Sequence, residues 1–119
     1  MENASLACCI IMPMEIEQTV IDEIVRRVTS AVPAQRIILF GSAATGQMTR
    51  DSDIDLLILK NSVSNRREDW LRVQDVLLDM GYPFDIIIMA RDRFEETKDV
   101  IGGIAYPANK HGKVVYEAA

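Results

Sequence analysis

Apolar residues recur at three- and four-residue spacing from Met14 to Ala31: Ile16, Val20, Ile21, Ile24, Val25 and Val28. That spacing gathers them on one stripe of a helix. Glu15, Glu17, Asp22, Glu23, Arg26 and Arg27 take the opposite face, acids early and arginines late, the order a helix dipole favours. Ser30 to Pro33 ends the segment. The period then changes. Arg36 leads into the short apolar run Ile37-Ile38-Leu39-Phe40, a strand. Ile54 and Leu56 to Leu59 form a second, almost continuous run that suits a strand buried on both faces. Asn61 to Asn65 is a polar loop. Asn65 is placed to cap a helix running to about Met80, with Glu68 positioned to complete a capping box. Trp70, Val73, Leu77 and Met80 form its stripe, widened by Leu71, Val76 and Leu78, and Trp70 reads as core. Gly81 suits the position after the helix, and Pro83 prevents continuation. Tyr82 to Met89 holds a third apolar run, opened by Asp85. Strand, helix, strand predicts two parallel neighbours joined by a crossover.

Beyond it, Arg91 to Asp99 reads as a charged helical segment with a solvated face. A short helix is expected from about Ile101, although Gly102-Gly103 and Pro107 weaken it. Val114 to Tyr116 reads as a last edge strand. The expected architecture is α/β (α+β): a small mixed sheet of three or four strands flanked by helices. It forms one domain over residues 14–119, after a flexible tail of residues 1–13.

Two aspartates one residue apart, Asp53 and Asp55, stand at the mouth of the second strand. Alternation points them the same way, roughly 6–7 Å apart. At that separation they repel by about 2–3 kcal/mol at an effective dielectric near 20. Such a pair calls for a shared proton or a divalent cation. Gly41-Ser42 directly follows the first strand. A glycine there permits a positive φ or a close approach to a ligand. Backbone N–H groups and the Ser42 hydroxyl would then suit phosphate oxygens. Asp85 is a third carboxylate if its strand lies beside that of Asp55. Its bland reading is a turn cap. Arg50 is either a phosphate partner or an exposed loop charge. Neither a Gly-Ser turn nor a D-x-D is specific alone; the two in this order form a stronger signal.

Leu39-Phe40-Gly41-Ser42, ten residues, Asp53-Ile54-Asp55-Leu56, and later Asp85 before an apolar run resemble the nucleotidyltransferase superfamily that includes DNA polymerase beta. Within it, the chain is most similar to the minimal MNT-type nucleotidyltransferases, small proteins often paired with a HEPN partner in toxin–antitoxin modules. The likeness is strong over Arg36 to Met89 and weaker from Ile104 to Glu117. It implies that Gly41 and Ser42 meet the nucleotide phosphates. It implies that Asp53, Asp55 and Asp85 are catalytic and hold one or two Mg²⁺ ions. The reaction implied moves a nucleoside monophosphate from an NTP, ATP foremost, to a hydroxyl, with a HEPN-type protein as partner. Many members carry Arg after the Gly-Ser pair, and here Ala43 stands in its place.

Composition narrows the choice. The chain has 119 residues, 49% of them hydrophobic, enough for one modest core. A net charge of −5 argues against a nucleic-acid partner, because such binding draws on basic side chains. No apolar run is long enough for a membrane span, and residues 1–13 lack the positive start of a signal peptide. Cys8 and Cys9 are adjacent, and no Cys/His metal spacing exists with one histidine. A reducing cytoplasm is the expected location. His111 reads as an ordinary residue at a helix end. Two readings of function stand side by side: a metal-dependent transferase, and a non-catalytic or weakly catalytic antitoxin-like module that neutralises its partner by contact. A homo-oligomer is compatible with both. A template-directed polymerase is not, given the chain's size and charge.

Overall fold

The computed structural model describes residues 17–41 and 53–118. The expectations for the tail, Met14 to Ile16, and for Ser42 to Ser52 lie outside the described residues. The elements are α1 (Gln18–Ala31), β1 (Arg36–Phe40), β2 (Ile54–Lys60), α2 (Arg66–Leu77) with a 3-10 turn at Leu78–Met80, β3 (Phe84–Ala90), α3 (Arg91–Thr97), α4 (Ala105–His111) and β4 (Lys113–Glu117). The strands form one mixed sheet in the order β3-β2-β1-β4. β1 is antiparallel to β2 and to β4. β2 and β3 are parallel, joined by α2 as the strand–helix–strand pattern predicts.

Strand alternation divides the core. Ile37, Leu39, Ile54, Leu56, Ile58, Ile86 and Ile88 pack with Ile21, Ile24 and Val28 of α1 and Val73 and Leu77 of α2. On the other face Ile38, Phe40, Leu57 and Leu59 meet Phe94 of α3 and Ala105 and Ala108 of α4. Ile54 and Leu56 to Leu59 are all 0% exposed. β2 is therefore clamped from both sides, and its register is strongly specified.

Several expectations need correction. Among the described residues, α1 has no acid in its first turn and no base in its last. Its charges serve lateral pairs instead: Arg27 Nε lies 2.6 Å from Glu23, and its Nη1 donates to the Val76 carbonyl at 2.8 Å, tying α1 to the end of α2. Asn65 caps α2 by accepting from the Glu68 N–H at 3.0 Å. The Glu68 carboxylate pairs with Arg72 at 3.0 Å, so it is not held by a capping box. Gly81 takes the left-handed conformation expected of it, φ 85°. Leu71 and Leu78 are exposed rather than core, and Trp70 is 37% exposed at the rim. Phe94 is buried within the segment read as a solvated face. The late helix begins at Ala105, not Ile101. Pro107 lies in its first turn, where the missing N–H has no intrahelical partner to lose.

Lys60, at the end of β2, meets Asp69 of α2 at 2.7 Å, with side chains 12% and 8% exposed. Removing one partner of a buried pair strands the other charge. Lys60→Met is therefore expected to cost about 3 kcal/mol of unfolding free energy. Lys60→Met with Asp69→Leu is expected to recover most of it. Urea melts of the two variants check this; equal losses in both would contradict it.

Candidate active site

The β2–β3 register sets Asp55 directly beside Asp85. Parallel neighbours in register share a face, here the face of Leu57, Leu59, Ile87 and Met89. At this end of the sheet, two carboxyl groups occupy the row that apolar side chains fill further along. Asp53 immediately precedes β2 and is exposed, as is Asp85; Asp55 is half-buried. Burial first, then the charges of Asp85 and Asp53, push the Asp55 carboxyl up from 3.8 to about 6. A hydrogen bond between Asp55 and Asp85 contributes to the same shift. The Asp55 carboxyl therefore carries a proton below about pH 6.

Gly41 follows β1 at φ 68°, the positive φ considered from its position after the strand. A second reason for glycine is visible only in space. A Cβ at Gly41 would collide with Oδ2 of Asp55. The residue must be glycine for its own backbone and to leave room for the neighbouring carboxyl. Ser42, Ala43 and Arg50 lie outside the described residues, so only Gly41, Asp53, Asp55 and Asp85 of the expected set are placed. The structure gathers those four at one end of the sheet. His111 closes α4.

Among the described residues, no group of three or more Asp, Glu, His or Cys side chains forms a ready cation cage. The donor chemistry is nevertheless that of a hard cation: all carboxylate, in a strained like-charge cluster. Mg²⁺ commonly binds through one or two carboxylates, with water and substrate phosphates completing its shell, rather than in an all-protein cage. Asp55 and Asp85, with Asp53 beside them, fit that pattern.

Residues 21–105, more than half the chain, match the family model of the nucleotidyltransferase domain. The chain belongs to that family. Its fold is shared with toxin–antitoxin proteins of the MntA/MNT type. One crystal structure, of a toxin–antitoxin with AMP-PNP, superposes with a TM-score of 0.65 at 21% identity, covering 82% of this chain and 73% of that one. The toxin–antitoxin MntA-HepT gives 0.61 at 18% identity, covering 86% and 74%. A tri-AMPylated Shewanella oneidensis HEPN toxin in complex with MNT antitoxin gives 0.59 at 17% identity, covering 87% and 74%. At these identities the likeness is one of fold. No curated protein sequence matches the chain. Among the described residues, no helix is long and apolar enough to cross a membrane.

Two outcomes follow from the geometry. Gly41→Ala is expected to lower stability by at least about 1–2 kcal/mol from the left-handed backbone alone, measured by urea unfolding. A smaller loss would show that the turn relaxes. The raised Asp55 value means that the folded chain keeps a proton that the unfolded chain releases. Its contribution to stability is thus present below the ordinary 3.8 and lost as pH rises through about 6. In the metal-free protein, Asp55→Asn is expected to remove this loss from a urea-midpoint profile between those values. Parallel wild-type and variant profiles would contradict the assignment.

Proposed function

We propose that this chain is a Mg²⁺-dependent nucleotidyltransferase that moves a nucleoside monophosphate from an NTP to a hydroxyl on a partner protein. The observation that carries the reading is the in-register Asp55–Asp85 pair beside a left-handed Gly41. The family match supports the reaction class.

Asp53, Asp55 and Asp85 would hold one or two Mg²⁺ ions. Bound there, the metal supplies Lewis-acid activation of the acceptor hydroxyl and neutralises charge on the departing pyrophosphate. Gly41 brings main-chain N–H groups within reach of the triphosphate, with Ser42 and Arg50 as its further partners. Asp85, the exposed member of the pair, accepts the proton of the acceptor hydroxyl and passes it to solvent. The hydroxyl oxygen forms a bond to the α-phosphorus. The bond from the α-phosphorus to the bridging oxygen breaks, and pyrophosphate leaves with that oxygen's electron pair. Asp55, clamped on β2, fixes where the phosphates sit. ATP is the preferred donor and a HEPN-type protein the preferred partner, in line with the AMP-PNP and AMPylated-toxin structures that share the fold.

Ala43, where many relatives have Arg, favours the second reading: a contact-only antitoxin-like module. Titration calorimetry separates the two. Wild type is expected to bind ATP with Mg²⁺ and not with EDTA, and Asp53→Asn is expected to lose binding by at least tenfold. Metal-independent binding, or an unchanged Asp53→Asn, would overturn the transfer reading. No binding by wild type would favour the contact-only module.

A further inference from the structure

The transfer reading leaves the acceptor without a seat, and the structure offers one. β3 is an edge strand, paired only with β2 among the described residues. Along its outer side runs an open groove of about 1030 Å³, between the start of α2 and α3, starting at Ile86, the residue after Asp85. Its floor is the strand itself, with Ile87 and Met89 half-buried. Its rim carries Arg66, Arg67, Trp70 and Arg93.

The charge on that rim is uncompensated. Arg66, Arg67 and Arg93 make no ion pair among the described residues, whereas the acids nearby on α2 are engaged: Glu68 with Arg72 and Asp69 with Lys60. No acidic side chain lines the groove. Three unpaired guanidinium groups around one trough, in a chain of net charge −5, define a local field for an anionic partner.

The main chain adds direction. The Ile54 N–H donates to the Pro83 carbonyl at 2.8 Å, so odd-numbered residues of β3 face β2 and even-numbered ones face outward. Trp70 Nε1 donates to the outward Ile86 carbonyl at 3.1 Å, which closes that carbonyl to a further strand. Ile88, two residues on, is only 3% exposed, so beyond Trp70 the groove is reached through the half-buried Ile87 and Met89.

We propose that this groove receives an extended acidic segment of the partner protein, laid along β3. Its carboxylates meet Arg66, Arg67 and Arg93, and the segment leads its hydroxyl residue past Trp70 toward Asp85. Apolar side chains of the segment meet the aliphatic floor, and the arginines supply selection. A nucleic-acid strand suits the groove less well: the floor is aliphatic and the indole N–H is already committed. The role of the hydroxyl rests on the transfer reading; the docking of an acidic strand does not.

The test uses the full chain without metal or nucleotide. The probe is a pool of ten-residue peptides alternating Glu with an equimolar mixture of Val, Ile, Thr and Tyr. Trp70 is the only tryptophan, so its emission reports occupancy directly. The acidic pool is expected to shift that emission saturably. Arg66→Ala with Arg67→Ala is expected to weaken binding at least tenfold, and Arg93→Ala severalfold. Lys113→Ala, on β4 at the opposite edge of the sheet, is expected to leave it unchanged. A pool with Lys for Glu is expected not to bind. The proposal is overturned if the acidic pool gives no shift, if the Lys pool binds as well, if the arginine variants bind as wild type does, or if a ten-residue oligouridylate binds more tightly. Mg²⁺–ATP titration of the same variants keeps the two readings apart. Intact nucleotide binding without peptide binding removes the groove alone; the converse removes the transfer reading alone.

Discussion

Two carboxyl groups held side by side on neighbouring parallel strands are the constraint around which this domain is arranged. Asp55 and Asp85 cannot move apart, because every residue between them and the far end of β2 is locked in register with β3. Burial, together with their repulsion, pushes the Asp55 carboxyl up to about 6, and a bound cation is the other way to relieve the pair. The apolar core does more than stabilise. Burying β2 on both faces makes the sheet end rigid enough to keep an unfavourable electrostatic arrangement in place. Marginally stable domains tolerate such strain only where packing elsewhere offsets it.

The supporting parts follow from that requirement. The crossover through α2 makes β3 parallel to β2, and parallel pairing in register sets the two aspartates on one face. Lys60–Asp69 fastens the far end of β2 to α2, and Arg27 fastens α1 to the same helix through the Val76 carbonyl. Gly41 clears the space that the Asp55 carboxyl occupies. On the carboxylate face, α3 and α4 cover the part of the sheet beyond the aspartates through Phe94, Ala105 and Ala108.

Much of this was legible in the residues. The period change at Arg36, the doubly apolar β2 and the Asn65 and Gly81 signals define helix, strand and crossover by local chemistry, and those elements formed as expected. The glycine after β1 and the D-x-D pair belong to one end of the sheet in the structure. What escaped depends on three-dimensional neighbours. Trp70 has the spacing of a core residue, but its stripe runs out over the edge strand, where its N–H serves the Ile86 carbonyl. Phe94 stands alone among charges, with no periodicity to reveal that it plugs the second core. Asp69 and Lys60 are nine residues apart on different elements, and nothing in either segment indicates that they meet. The arginines of the groove come from α2 and α3, so the patch exists only once β3 separates those helices.

The most direct test of the central claim is paramagnetic broadening of backbone amide signals by substoichiometric Mn²⁺, a stand-in for Mg²⁺ with similar preference for oxygen ligands. Amides of Gly41, Asp53, Asp55 and Asp85 are expected to broaden first and together, while those of Lys60, His111 and Glu117 persist. Broadening centred on another acidic stretch, such as Asp22-Glu23 of α1, or uniform loss without a focus, would contradict the assignment of the sheet end as the cation site.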